Sequence, residues 1–162
     1  MKTLFIIALI TVAGYFASGY SSFSTARVAS FIDRFEDDIN LGNTDAACAK
    51  LSEQVEFSQT DSTDGKERTK SGGKAELCRQ FALTAAYYKT AQIADRHFNS
   101  DFSVKRDWRQ WSSAQLTYDE HHEIEFFPLR NKVRTIVRHR MSLEKKGDSF
   151  LVTRWTANTA LK

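Results

Sequence analysis

The chain has 162 residues, 41% apolar and 27% charged, which is ordinary globular usage and outside the low-hydrophobicity, high-charge regime of disorder. At this length roughly 70% of the surface exposed by the unfolded chain is buried on folding, so one domain can hold a core without a structural metal. The formal charge is +3, one unit of it from Lys2, which excludes the concentrated basic face of a nucleic-acid binder.

Lys2 precedes an apolar run from Leu4 to Phe16 and the small-residue sequence Ala17-Ser18-Gly19. That run is about 13 residues, short of the ~20 needed to span a bilayer. It predicts a signal peptide over 1–19, cleaved near Gly19-Tyr20, and hence a periplasmic or secreted domain over 24–162. The alternative is an uncleaved anchor, with Tyr15, Phe16 and Tyr20 prolonging an interfacial segment; only then is the membrane a partner. Cys48 and Cys78 are the two cysteines of a chain expected to mature where disulfides persist. They are a disulfide candidate, with two small buried thiols as the alternative.

Val28, Phe31, Ile32, Phe35 and Ile39 recur at three- and four-residue spacing and predict an amphipathic helix, with Asp33, Arg34, Glu36, Asp37 and Asp38 on its outer side. Ser24 or Thr25 caps its start and Gly42 ends it. A short second helix is predicted over 45–51, with Asp45 at its positive end. Val55 to Gln59 alternates as a strand, Asp61 to Gly65 reads as a turn, and Glu67 to Thr69 belongs to a second strand. After Gly72-Gly73, the spacing of Leu77, Cys78, Phe81, Ala85 and Tyr88 predicts a third helix. Alternating runs over 92–98, 101–108, 113–127, 132–143 and 149–158 then predict strands. The first two either form one strand bent near Asn99-Ser100 or yield their start to a third helix extended to about Asp95. Helices first and hairpin-linked strands after argue an α+β fold with a mostly antiparallel sheet.

This order, with Phe31-Ile32-Asp33-Arg34-Phe35, Leu41-Gly42-Asn43-Thr44-Asp45-Ala46-Ala47, Val55-Glu56-Phe57 and Gly73-Lys74-Ala75-Glu76-Leu77, resembles the opening of nuclear transport factor 2-like proteins. The resemblance covers most of 27–158 and implies three helices packed on a curved sheet, a cone with a pocket in its wide end, and pairing of two copies through the sheet. It specifies no chemistry. Members similar to steroid isomerases and polyketide cyclases use an acidic base and a phenol or carboxylic acid. The opening helix here has no Tyr, and Asp61 reads more simply as part of a turn, so the resemblance carries no catalytic residue over.

The hairpin of Tyr118 to Phe126 and Val133 to Met141 holds the most chemistry. A short connection pairing Phe127 with Lys132 places Glu125 opposite Arg134, His121 opposite Arg138 and Asp119 opposite Arg140 on a solvated face. The other face carries Tyr118, Glu120, His122 and His139 among apolar residues, with Glu120 opposite His139. Such groups must bond one another or line a cavity. Glu120 and His139 form a candidate acid–base pair, with Tyr118 as hydrogen-bond donor. His122, Trp155, Phe31 and Phe35 are the candidate pocket residues. Trp108, Trp111, Tyr87 and Tyr88 read as packing.

No metal is expected, because the adjacent His121 and His122 point to opposite faces of a strand. No cofactor is expected either, since glycine-rich phosphate loops, a nucleophile elbow and a CxxC pair are missing from the sequence. Three readings follow. The first is an exported non-catalytic domain binding a small apolar ligand or a protein partner in its pocket or on its sheet. The second is a small-molecule enzyme of isomerase, cyclase or dehydratase type using the Glu-His pair. The third is a membrane-anchored assembly component that pairs as a homodimer through the sheet.

Overall fold

A computed structural model describes residues 23–63, 66–90, 93–106, 112–126 and 131–161. The expected signal peptide, Trp108, Trp111 and the Pro128 connection lie outside the described residues.

Helix α1 spans Thr25–Asn40, with the Ser24 hydroxyl accepting from the Arg27 amide. The chain leaves it through Gly42, whose φ of +78° is a left-handed conformation open to glycine at little cost. Val28, Phe31, Ile32 and Phe35 are buried as the spacing predicts, but so is Glu36, expected on the outer side. Helix α2, Thr44–Ala49, is shorter than expected. Its predicted end, Leu51, instead opens the first strand, where the Val152 amide donates to the Lys50 carbonyl at 2.9 Å. Helix α3, Lys74–Thr90, buries Leu77, Phe81 and Ala85. Cys48 and Cys78 are bridged, tying α2 to α3 across a Cα–Cα distance of 5.7 Å.

Six strands follow the helices or lie between them: β1 Leu51–Thr63, β2 Lys66–Gly72, β3 Ile93–Arg106, β4 Ser113–Phe126, β5 Asn131–Lys146 and β6 Ser149–Leu161. They form one sheet in the order β2-β1-β6-β5-β4-β3, parallel between β1 and β6 and antiparallel elsewhere. Asp61, expected in a turn, lies within β1 opposite Arg68. Of the two alternatives for 92–108, one long strand is found. It is interrupted between Ser100 and Ser103, where Asp101 adopts a φ of 55°. A bulge of this kind bends a strand and curls the sheet locally.

The helices cover the sheet face carrying Leu116, Tyr118, His139, Met141, Leu143, Val152 and Trp155. Phe35 is the hinge of this packing, edge-on to Phe81 at 5.7 Å and to Trp155 at 5.8 Å between ring centroids. Fully burying such a ring contributes roughly 1.5–3 kcal/mol, and this one ties α1 to both α3 and β6. Phe31, expected to line the pocket, instead lies one helical turn before Phe35, outside the lining, and packs against Phe150 with ring centroids 5.4 Å apart.

The β4–β5 register differs from expectation by two residues. Phe126 pairs with Asn131, Tyr118 with His139, Glu120 with Val137 and Asp119 with Arg138. Every residue keeps its expected face, because a slip of two preserves the alternation whereas a slip of one would invert it. On the outer face Arg138 grips Asp119 with two hydrogen bonds, 2.8 and 2.7 Å. Glu123 takes Lys132 at 2.8 Å and Arg134 at 2.9 Å.

Candidate functional site

Between α1, α3 and the inner face of β1, β4, β5 and β6 lies a cavity of about 240 Å³. Phe35, Phe57, Phe81 and Trp155 form its aromatic walls, and Glu36, Tyr118, Glu120, His122 and His139 supply its ionisable lining. Four of the five ionisable groups were expected there from strand alternation. Glu36 was not.

The position of Glu36 follows from helix geometry: it stands four residues after Ile32 and next to Phe35, on the edge of the apolar stripe. It is 8% exposed. The Tyr118 hydroxyl donates to its Oε1 at 2.8 Å, and Asn99 Nδ2 on β3 donates to its Oε2 at 2.6 Å. Burial, followed by the nearby Glu120 charge, pushes the Glu36 carboxyl up to about 7, against the opposing effect of the Asn99 and Tyr118 hydrogen bonds. Tyr118 is itself pushed well above the ordinary phenol range by burial and by the two carboxylates, so it stays a hydrogen-bond donor. Its ring is stacked between Phe102 and His139, at centroid distances of 5.1 and 4.7 Å.

Glu120 has the opposite tendency. Burial alone would raise its carboxyl, but hydrogen bonds from His122 and His139 and the electrostatic effect of the same two imidazoles together outweigh burial and hold it well below the usual carboxylate range. His139 Nε2 is 2.9 Å from Glu120 Oε2, and His122 Nε2 is 3.2 Å from Glu120 Oε1. The expected Glu120–His139 pair therefore forms, although the two residues are diagonal neighbours and not directly opposed. A long side chain spans that diagonal. The Trp155 indole N–H donates to His139 Nδ1 at 2.9 Å. An imidazole that accepts at Nδ1 carries its proton on Nε2, the nitrogen that faces Glu120 Oε2.

The arrangement thus places two carboxylates in one cavity with opposed protonation tendencies, a phenol bonded to one and two imidazoles to the other. His97, left out of any site by sequence reasoning, stands opposite His122 in the β3–β4 ladder, and its Nε2 is 3.5 Å from Asn40 Nδ2. One ring nitrogen of His97 and one carboxylate oxygen each from Glu36 and Glu120 lie within 4.8 Å of one another.

No protein-family model matches the chain, and no curated protein matches it by sequence. Solved structures do match it in fold. A candidate scytalone dehydratase from Novosphingobium aromaticivorans DSM 12444 superposes with a TM-score of 0.62 at 11% identity, over 83% of this chain and 83% of that one. The beta subunit of the benzoate 1,2-dioxygenase from Burkholderia mallei ATCC 23344 gives 0.66 at 11% identity, over 83% and 89%. A nuclear transport factor 2-like protein with a cystatin-like fold from Novosphingobium aromaticivorans gives 0.60 at 13% identity, over 82% and 79%. Three helices on a mostly antiparallel six-stranded sheet, together with these matches, show a nuclear transport factor 2-like, cystatin-like fold.

Proposed function

We propose that the domain is exported and acts on a small, largely apolar molecule in the cone cavity, with Glu36 exchanging a proton with it. One observation carries this reading: Glu36 is raised to about 7 while Glu120, in the same cavity, is lowered. Environments that drive two titratable groups apart are how a single site holds an acid or base ready near neutral pH. Glu36 is then the proton-transfer group and Tyr118 the donor that holds its carboxylate. Glu120 stays ionised and fixes His122 and His139. This reading moves the acid–base role from the Glu120–His139 pair to Glu36, because the Trp155 N–H occupies the ring nitrogen through which His139 would take up a proton.

The fold leaves function open, and the matched structures include one described as a dioxygenase subunit and one as a candidate dehydratase. A second reading, binding without turnover, draws on the saturation of the network. Both Glu36 oxygens and both Glu120 oxygens already have partners, as a purely structural cluster requires.

Proton exchange separates the two. In deuterated buffer, α-proton exchange of a small bicyclic ketone such as 2-tetralone is followed by proton NMR. The catalytic reading expects acceleration on the order of 10²-fold over buffer, rising through neutral pH as Glu36 ionises and lost in Glu36→Gln. Bound ketone with no acceleration selects the binding reading. Mass spectrometry of the exported chain tests removal of residues 1–19.

A further inference from the structure

The cavity has an unusual charge balance for a pocket with aromatic walls. Among the described residues that line it are two carboxylates and no Lys or Arg. His122 and His139, the imidazoles among the described lining residues, are both already engaged with Glu120. An anionic ligand would meet two carboxyl groups and no Lys or Arg among the described lining residues, which disfavours it in a low-dielectric site.

Glu36 and Glu120 in the lining and His97, which lies outside it on β3, offer three acceptor atoms within 4.8 Å of one another. One nitrogen can reach acceptors up to about 5.6 Å apart when each charge-assisted bond is ~2.8 Å long. Three converging acceptors therefore match the three donors of a primary ammonium group. The two bonds already made to Glu36 leave lone pairs on each of its oxygens for such a donor. Beside these groups, Phe35, Phe57, Phe81 and Trp155 provide faces for an apolar ring and for a cation held against them. We propose that the cone cavity is a site for a small organic ammonium ion with an aromatic or alicyclic body, its nitrogen held by Glu36, Glu120 and His97. A divalent metal ion would use the same three atoms, but would leave about 240 Å³ of aromatic-walled space without a role, and the organic cation fills both parts. The inference concerns what the cavity admits and stands apart from whether Glu36 turns a ligand over.

Three probes of nearly one size and different charge test it: 2-phenylethylamine, 2-phenylethanol and phenylacetate, titrated into the full chain and followed by amide NMR shifts. The amine is expected to bind at least about ten-fold more tightly than the alcohol, and phenylacetate more weakly than either. His97→Ala is expected to weaken the amine about ten-fold while leaving the alcohol unchanged. Equal affinity for amine and alcohol, tighter binding of phenylacetate, or binding of none at millimolar concentration overturns the proposal. So does zinc binding that is lost in His97→Ala while the amine fails to bind, since the three atoms then belong to a metal. The wild-type comparison needs no variant to fold. A chain that binds the amine yet exchanges no ketone proton contradicts the catalytic reading alone.

Discussion

The Tyr118 hydroxyl donates to Glu36 Oε1 over 2.8 Å, so α1 and β4 are joined inside the cone by a hydrogen bond to a buried carboxyl as well as by apolar contact. Beside it, Asn99 donates to the other oxygen of Glu36 while its own Oδ1 is buried without a partner.

Glu36→Gln is expected to change how stability depends on pH. Below about 4.5 the carboxyl is neutral in both folded and unfolded chains. As pH rises to about 7 the unfolded chain releases the proton and the folded one retains it, so the contribution of Glu36 to stability falls across that window. The amount is on the order of 3 kcal/mol. Glutamine keeps the shape and can still accept from Tyr118, without a charge to bury. Urea unfolding is expected to show the variant more stable than wild type at about pH 8, with the difference shrinking toward acid.

Tyr118→Phe keeps the ring between Phe102 and His139 but removes the donor to Glu36. A buried acceptor left short of a partner costs about 1–3 kcal/mol, measured by the same unfolding curves. Because that hydrogen bond lowers the Glu36 carboxyl, its loss is expected to move the Glu36 titration further up.

The fold was legible in the sequence wherever one periodicity held over a long segment. Val28, Phe31, Ile32 and Phe35 placed α1, and strict alternation through 113–143 placed Tyr118, Glu120, His122 and His139 on the inner face of the sheet. Alternation has a period of two, however, and fixes only the parity of a register. Glu120 was therefore set opposite His139 where the ladder sets Val137. Glu36 was missed for a different reason. A charged residue at the edge of a helical stripe reads as solvated, and only tertiary partners on β3 and β4, Asn99 and Tyr118, make its burial affordable. The signal was its spacing four residues after Ile32. His97 carried no such mark, since its neighbours in the site come from a helix and from another strand.

Trp155→Phe tests the assignment of His139. With the indole N–H removed, Nδ1 loses its donor and the imidazole is free to redistribute its proton. Nitrogen NMR of the wild type is expected to show His139 protonated on Nε2 alone, and the variant a mixture of tautomers. A wild-type His139 protonated on Nδ1 would contradict the hydrogen-bond chain from Trp155 to Glu120.

The bridge between Cys48 and Cys78 closes a segment with a sequence separation of 30. In the chain-entropy description such a closure stabilises by about 3–4 kcal/mol. Replacing both cysteines with alanine, or reducing the bridge, is expected to lower the unfolding midpoint accordingly. Mass analysis of the unreduced chain is expected to find two hydrogens missing.

The most direct measurement is a carbon NMR titration of the Glu36 side-chain carboxyl in the ligand-free protein, assigned by its disappearance in Glu36→Gln. A midpoint near 7 is expected, with Glu120 remaining ionised throughout. A Glu36 midpoint in the ordinary carboxylate range near 4.5 would mean that the two groups are not driven apart, and the proposed proton-transfer site would be lost.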